Sequence, residues 1–245
     1  MTRTVRLWVN GMPTVARVDG RGPPLLIIPG LGCAGIMYRR AALALAPHFE
    51  VWRYDHPGHG RSGGGLDRIS ALSVHLAAFM RAAGLAGTPL LGHSLGGEIA
   101  LEIAAREPTL TRALILAAPT GIPEHPDVLS QTWHLLRDAA RERPALVPLA
   151  LAAYARCGPR RMWALTLDQD RHNTLPNLER SRQPTLILLG GRDPIVAREA
   201  ATAMQALLPD PRLVCLDTAA HALTDSHPRA LARAVTAFLR GEGLA

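Results

Sequence analysis

The first candidate for chemistry in this sequence is a serine flanked by small residues. Ser94 lies in the segment GHSLGG at 92–97, between an apolar strand pattern at 88–92 and a helical pattern at 95–106. A serine on so sharp a turn has strained backbone, and larger side chains at positions 92 and 96 would clash with the neighbouring chain. The amino end of the following helix favours negative charge on an oxygen atom. This context predicts that Ser94 is a nucleophile rather than part of an ordinary tight turn.

Strand and helix patterns alternate on both sides of this serine. Segments 4–9 and 14–18 alternate in polarity and are joined by Asn10-Gly11, which predicts an antiparallel hairpin at one edge of a sheet. Alternating strands and helices predict right-handed crossovers, and hence an α/β fold with a mostly parallel, doubly wound sheet. The further predicted strands are 25–28, 50–54, 88–92, 112–117, 185–189 and 212–216. The predicted helices between them are 35–46, 69–83, 95–106, 196–208 and 228–240.

The alternation stops between Pro119 and Pro184. We therefore expect a core domain formed by 1–119 and 184–245, and a helical cap insertion over 120–183. A segment of this length must pack as its own layer over the carboxyl ends of the strands, where ligands of open α/β sheets bind. Its predicted amphipathic helices are 127–142, 145–156 and 159–167.

The large apolar side chains of the predicted cap are candidates for substrate binding. They are Trp133, Tyr154 and Trp163. Each of them could instead belong to the cap's own core. Because an apolar lid needs large groups to exclude water, we expect at least one of them to face the substrate.

Further segments resemble those of the α/β-hydrolase superfamily, and the resemblance covers essentially the whole chain. In chain order they are PGLG at 29–32, YDHPGHGRS at 54–62, GGRDPIV at 190–196 and TAAHA at 218–222. They look like that family's oxyanion loop, its Asp-x-x-Gly-x-Gly-x-Ser segment, its acid loop and its histidine loop. Pro29 stands where the family usually has histidine. The resemblance implies the α/β-hydrolase fold and a reaction that needs neither cofactor nor metal ion.

The resemblance also implies a Ser-His-Asp triad. A serine hydroxyl is a poor nucleophile at neutral pH, so Ser94 needs a base, which His221 just past a strand end can supply. Asp193 can accept the other imidazole N–H, fix the tautomer and stabilise the imidazolium. The order Ser94, Asp193, His221 along the chain is the order of this fold.

Other histidines and acids compete for the roles of base and acid. His93 lies beside the serine and is interpreted as pointing elsewhere, and His227 begins a helix before a proline. Asp193 could serve only its Gly-Arg-Asp-Pro turn, because Asp often bonds to the local backbone. The acid would then follow the sixth strand, at Glu124 or Asp127. The position of Asp193 after its strand favours Asp193.

Several other polar residues are interpreted as structural. Four of them, which tie down the turn after the fourth strand, are Asp55, His56, His59 and Arg61. Three more recur with a spacing of four and predict a solvated helix face, namely Glu98, Glu102 and Arg106.

Two backbone N–H groups are expected to stabilise an oxyanion. The resemblance places them at Leu95, after the serine, and at Leu31 in the Pro-Gly-Leu-Gly loop. Backbone donors need no reorganisation as a carbonyl oxygen gains charge. Cys33, two residues after Leu31, is a candidate for lining the substrate pocket, although such a cysteine is more often a small buried hydrophobe.

The basic composition does not predict nucleic-acid binding. The 245 residues carry a net charge of +7, and all 27 basic residues are arginine. Residues 119–183 hold nine Arg against seven acidic residues, so the positive charge is not concentrated there. Aromatic residues make up 4% of the chain and offer few stacking platforms for bases.

The cysteines and the apolar segments favour a cytoplasmic protein without a membrane span. Cys33, Cys157 and Cys215 are odd in number and lack CxxC spacing, which argues against disulfides and a thiolate zinc site. The longest apolar run, Leu146–Ala155, is ten residues long, contains a proline and is too short to span a bilayer. The amino-terminal residues lack the apolar run of a signal peptide.

The sequence as a whole predicts a serine hydrolase. We expect it to cleave a carboxylic ester, lactone or thioester of an apolar small molecule through an acyl-enzyme on Ser94. Alternatives are a carbon-carbon bond hydrolase, lyase, perhydrolase or cyclase that uses the same triad, a slow-turnover binding protein, and an inactive interaction protein. The expected partner is a small-molecule substrate, and a homodimer is compatible with the sequence.

Overall fold

Parallel β-strands form the centre of the protein. The computed structural model describes residues 2–121, 141–196 and 198–245. The strands in these ranges are β1 Arg3–Val9, β2 Met12–Asp19, β3 Pro24–Ile28, β4 Glu50–Asp55, β5 Leu90–His93, β6 Leu114–Ala117, β7 Thr185–Gly190 and β8 Arg212–Leu216. They form one sheet in the order β1-β2-β4-β3-β5-β6-β7-β8.

The strand directions agree with the prediction from the sequence. β2 pairs antiparallel with β1 and with β4, whereas every other neighbouring pair is parallel. Asn10 and Gly11 connect β1 to β2 with φ angles of 48° and 72°. A two-residue hairpin turn of this kind needs positive φ at both positions. The α/β class, with a mostly parallel sheet and an antiparallel N-terminal edge, is therefore confirmed.

Helices connect the parallel strands. The described α-helices are α1 Arg39–Leu45, α2 Ile69–Ala82, α3 Leu95–Arg106, α4 Val147–Cys157, α5 Pro159–Arg171, α6 Leu175–Arg180, α7 Arg198–Leu207, α8 Leu223–Ser226 and α9 Pro228–Gly241. The predicted helix 35–46 divides into a 3₁₀-helix, Gly35–Tyr38, and α1. Neither α6 nor α8 was predicted, because helices of six and four residues are too short to show a 3.6-residue period.

Helix α3 is buried on all sides, and this corrects one prediction. Its residues Leu95–Ala104 are all buried. Glu98 and Glu102 have exposed fractions of 0% and 1%, so they do not form a solvated helix face with Arg106. A spacing of four does not by itself indicate an exposed face. The residues between the two glutamates are all apolar, so apolar side chains surround α3, as in a fully buried helix.

The segment between β6 and β7 packs on the core through side chains. Its described part, residues 141–183, contains α4, α5 and α6. Asp168 of α5 accepts a hydrogen bond of 2.8 Å from the N–H of Ile69 and so caps the amino end of α2. Arg161 donates to the carbonyl of Gly58 at 3.2 Å. The predicted helix 127–142 falls mostly outside the described residues, and the division into core and cap stays a prediction.

None of the helices in the described ranges combines the length and the apolar composition that a bilayer span requires.

Candidate active site

Ser94 occupies a strained turn between β5 and α3. Its φ and ψ angles are 54° and −125°, a backbone conformation that residues other than glycine rarely adopt. The turn is fixed at both ends, since the Ser94 N–H donates to Ala117 O at 3.0 Å and the Gly97 N–H donates to Ser94 O at 2.7 Å. A Cβ atom at Gly96 would lie 2.2 Å from Ile28 O. The small residue after the serine is therefore needed for the close approach of α3 to β3.

His221 and Asp193 meet beyond the ends of two adjacent strands. His221 follows β8 and Asp193 follows β7, and His221 Nδ1 lies 2.9 Å from Asp193 Oδ2. The two loops approach closely, because a Cβ atom at Gly190 would lie 2.5 Å from Ala220 O. Since an ionised carboxylate only accepts hydrogen bonds, Nδ1 carries the imidazole proton in this bond. Nε2 of the neutral ring is then a hydrogen-bond acceptor.

The Asp193 carboxylate is buried, and protein groups donate hydrogen bonds to both of its oxygens. Its other oxygen, Oδ1, accepts hydrogen bonds from the N–H groups of Ile195 at 2.7 Å and Val196 at 3.1 Å. Burial acts to raise the pKa of Asp193, but the charge and hydrogen bond of His221 and these N–H groups outweigh it. The pKa of this carboxyl therefore lies below its usual value, and Asp193 is ionised at neutral pH.

Ser94 and His221 line the same cavity, which has a volume of about 380 Å³. The core contributes a wall around these two residues that includes Leu31, Cys33 and Tyr38. Residues 141–183 contribute the opposite wall, which is mostly apolar. Its members are Glu142, Leu146, Val147, Ala150, Leu151, Tyr154 and Met162. A cavity with these walls suits an apolar ligand with a few polar groups near the serine.

The two predicted oxyanion donors are the N–H groups of Leu31, which lines the cavity, and Leu95, which follows Ser94. Within the described residues, the N–H groups of Leu31 and Leu95 donate no hydrogen bond to the protein. The loop that carries Leu31 is held by His56, whose Nε2 lies 3.0 Å from Pro29 O. Burial and the charge of His59 lower the pKa of His56 to about 3, so His56 is neutral and its Nε2–H donates to this carbonyl.

The predicted substrate-binding residues differ in position. Cys33 and Tyr154 line the cavity. Burial raises the pKa of the Cys33 thiol to about 12, so Cys33 contributes a neutral apolar surface. Trp163 is 57% exposed and is not part of the cavity wall. Trp133 lies outside the described residues, as do the alternative acids Glu124 and Asp127.

Residues that the sequence interpretation missed also surround the site. His93 lies next to the site, with its ring centroid 5.0 Å from that of His221, and its Nε2 is 3.0 Å from His221 O. Tyr38 Oη is 2.9 Å from His93 Nδ1. His93 occupies the variable position before the serine in GHSLGG, and Tyr38 lies outside the quoted motifs, so the motifs assign neither residue a role.

The buried Glu98 joins α3 to the segment between β6 and β7. Its carboxylate accepts hydrogen bonds from Thr120 at 2.7 Å and from Gln169 of α5, and Thr174 Oγ1 lies 3.5 Å away. Burial raises the pKa of Glu98 to about 7, against the opposing effect of these hydrogen bonds. The apolar pattern of α3 on all its faces is the signal that could have predicted this burial.

Comparisons with known proteins identify the family. The sequence profile described as "Alpha/beta hydrolase family" matches residues 25–234. The chain is 33% identical over 264 aligned residues to the polyketide synthase ThaQ of Burkholderia thailandensis, an alignment that covers 93% of this chain but 12% of the synthase. It is 27% identical to the N-formylmaleamate deformylase of Pseudomonas putida, with 84% of each chain covered.

Solved structures agree on the fold. The enol-lactonase from Burkholderia xenovorans superposes with a TM-score of 0.84 at 23% identity, covering 96% of this chain and 100% of that one. The match of the family profile to most of the sequence shows that this protein belongs to the alpha/beta hydrolase family.

Proposed function

We propose that the protein is a serine hydrolase that cleaves a carboxylic ester, lactone or thioester of an apolar small molecule. The observation that carries this proposal is the strained Ser94 turn in the same cavity as His221, which is hydrogen bonded to the buried, ionised Asp193. The strain fits a functional position, because backbone in such a conformation persists only where surrounding contacts enforce it.

The proposed acylation step uses the His221 tautomer described above. Nε2 of His221 accepts the proton of Ser94 Oγ as the oxygen attacks the substrate carbonyl carbon. Asp193 stabilises the imidazolium that forms. The N–H groups of Leu31 and Leu95 donate to the carbonyl oxygen as it gains negative charge, and each such donor is typically worth about 10²- to 10³-fold in rate.

The remaining steps release first the alcohol or thiol and then the acid. The imidazolium of His221 gives its proton to the departing alcohol or thiol, which leaves an acyl group on Ser94. Water then loses a proton to Nε2 and attacks the acyl carbon, and the imidazolium returns that proton to Ser94 Oγ as the acid leaves. The reaction needs no redox change and no further co-reactant.

The cavity wall supports an apolar acyl or leaving group. We infer that residues 120–183 form a cap over the strand ends, and that its apolar residues such as Leu146, Ala150 and Tyr154 contact the substrate. The names of two similar proteins, a deformylase and an enol-lactonase, fit attack on a carbonyl carbon.

Labelling and turnover together test this proposal. Wild-type protein and Ser94→Ala are treated with a fluorophosphonate, and the labelled peptide is identified by mass spectrometry. A panel of esters, thioesters, lactones and a diketone of increasing apolar length is then assayed for hydrolysis. The proposal expects a label on Ser94 and turnover of an ester, thioester or lactone.

Three outcomes would contradict it. The absence of label in folded wild-type protein would indicate that Ser94 is not activated. Cleavage of the diketone alone would indicate a carbon-carbon hydrolase. A labelled protein that releases each acyl group only once would indicate a binding protein.

A further inference from the structure

A chain of buried hydrogen bonds connects three loops of the site. The Gly30 N–H donates to Tyr38 Oη at 2.8 Å, and Tyr38 Oη lies 2.9 Å from His93 Nδ1. His93 Nε2 lies 3.0 Å from the backbone oxygen of His221. Tyr38 and His93 are 2% and 5% exposed, so water does not compete effectively for these bonds.

The direction of every bond in this chain is determined. Burial, followed by the nearby charge of His221, lowers the pKa of His93 to about 3, so its ring is neutral and holds one proton. The backbone oxygen of His221 can only accept, which places that proton on Nε2. Nδ1 must then accept, so the Tyr38 O–H donates to it. The Tyr38 oxygen in turn accepts the Gly30 N–H.

Each end of the chain holds a group that the proposed reaction needs. Gly30 directly precedes Leu31, whose amide is a proposed oxyanion donor. His93 directly precedes Ser94, and its other partner is the backbone of His221. We propose that Tyr38 and His93 are positioning residues, which hold the oxyanion loop, the serine turn and the histidine loop in one relative arrangement. This inference rests on the proposed function.

The expected consequence is a loss of rate rather than of binding. Neither the Tyr38 hydroxyl nor the His93 ring nitrogens are needed to react, but a displacement of about 1 Å between reacting groups can cost about 10²-fold in rate. Six apolar residues of the segment 141–183 line the cavity, and none of them takes part in this chain of hydrogen bonds. Loss of the chain should therefore lower kcat more than it changes KM.

Tyr38→Phe is the most direct variant, because it removes one hydroxyl and keeps the ring. It leaves the Gly30 N–H and His93 Nδ1 without their partner. We expect kcat, and the rate of fluorophosphonate labelling of Ser94, to fall about 10- to 100-fold, with KM changed less than about twofold.

Tyr54→Phe is the matched control. Tyr54 is also fully buried, but within the described residues its hydroxyl has no hydrogen-bond partner, and its ring packs on Phe79 in the core. This variant loses the same atom outside the chain of hydrogen bonds, so kcat should stay within about twofold of wild type. Assays are run well below the Tm of both variants, so that a difference in kcat does not report unfolding.

His93 variants test the other half of the chain. His93→Gln keeps an N–H donor for His221 O, whereas His93→Leu removes it, so we expect the glutamine variant to retain the higher kcat. In the double variant Tyr38→Phe/His93→Leu, kcat should fall no further than in the more damaged single variant, because both substitutions break one chain.

The outcomes separate this inference from the proposed function. If wild-type protein is labelled at Ser94 and Tyr38→Phe matches Tyr54→Phe in kcat and labelling rate, the positioning role is wrong and the proposed function stands. Effects of Tyr38→Phe and His93→Leu that multiply in the double variant would also overturn it. If His93→Leu does not fold, the comparison of Tyr38→Phe with Tyr54→Phe decides. Folded wild-type protein without label would contradict both proposals.

Discussion

The core wall of the cavity and the wall formed by residues 141–183 are held in place by different contacts. In the core, backbone groups fix the loops: Ser94 N–H bonds to Ala117 O, and Arg192 N–H bonds to Ala219 O. The opposite wall is attached through side chains. Arg143 lies 3.1 Å from Asp225, and Glu142 accepts a hydrogen bond of 2.8 Å from the Ala222 N–H.

This difference determines which substitutions should change the reaction rate and which should change the choice of substrate. Backbone hydrogen bonds do not depend on which side chain is present, so the loops around Ser94 tolerate most substitutions, except at the buried Tyr38, His93 and His56 whose side chains also hold them. Contacts made by side chains vary with the sequence, and the apolar residues that they carry vary too. We therefore expect substitutions in the core wall to affect the rate of reaction, and substitutions in the opposite wall to affect the choice of substrate.

Ser94→Ala should have the largest effect. The variant keeps the fold but loses the attacking oxygen, so kcat should fall on the order of 10⁴- to 10⁶-fold. Circular dichroism and Tm report whether the fold is kept, and initial rates on the best substrate of the panel report kcat. Retention of more than about a tenth of the activity would show that another group is the nucleophile.

Asp193→Asn should have the next largest effect. The amide keeps the shape of the side chain but favours the wrong imidazole tautomer, so kcat should fall about 10⁴-fold. Asp217→Asn is the control, because Asp217 lies exposed in the neighbouring loop after β8. A greater loss in Glu124→Gln than in Asp193→Asn would place the acid after β6 instead.

In the opposite wall, Tyr154→Ala should change substrate choice. Tyr154 lines the cavity, whereas Trp163 of the adjacent helix is 57% exposed and does not. Removing the Tyr154 ring should alter kcat/KM for the longest acyl chains by about tenfold relative to the shortest, since pocket contacts of this size discriminate by about 1–3 kcal/mol. Trp163→Ala, measured with the same esters, should leave the profile of chain lengths unchanged. Identical profiles in both variants would contradict a role for Tyr154 in reading the substrate.

Glu98→Gln should have the smallest effect, and one that depends on pH. The pKa of Glu98 is raised from 4.5 to about 7 in the folded protein. The folded state then holds a proton that the unfolded state has lost, so the contribution of Glu98 to stability is complete below pH 4.5 and decreases as pH rises to about 7.

The variant lacks this dependence, so Tm measurements across this pH range can detect it. Between pH 5 and pH 8, the Tm of Glu98→Gln should rise relative to wild type by several degrees, because about 1 kcal/mol corresponds to about 2–4 °C in a chain of this size. A Tm difference that is constant across this range would show that Glu98 titrates normally.

The core wall is also the part that the sequence predicts well. Continuous apolar runs such as Leu25–Ile28 allow little choice but a buried parallel strand, and the residues after these runs then lie at one edge of the sheet. This placement at one edge of the sheet is enough to predict that Ser94, Asp193 and His221 lie near one another. Strand limits were less accurate: the predicted strand 88–92 became Leu90–His93, because an apolar pattern does not define where pairing begins.

The remaining contacts depend on side chains that meet only after folding. Tyr38 reaches His93 across 55 positions of the sequence, and Gln169 reaches Glu98 across 71. No local period reports such pairs. For the same reason Tyr154 and Trp163, nine positions apart on neighbouring helices, looked equivalent in the sequence, although only the first lines the cavity.

The strained serine turn also affects how this protein responds to selection. A residue other than glycine at the φ of Ser94, 54°, costs about 1–3 kcal/mol, whereas twelve described glycines adopt positive φ without that cost. Ser94→Gly would therefore raise stability while it removes the hydroxyl. A screen that rewards only expression or heat resistance would favour this loss, so directed evolution of the protein must score turnover in every round.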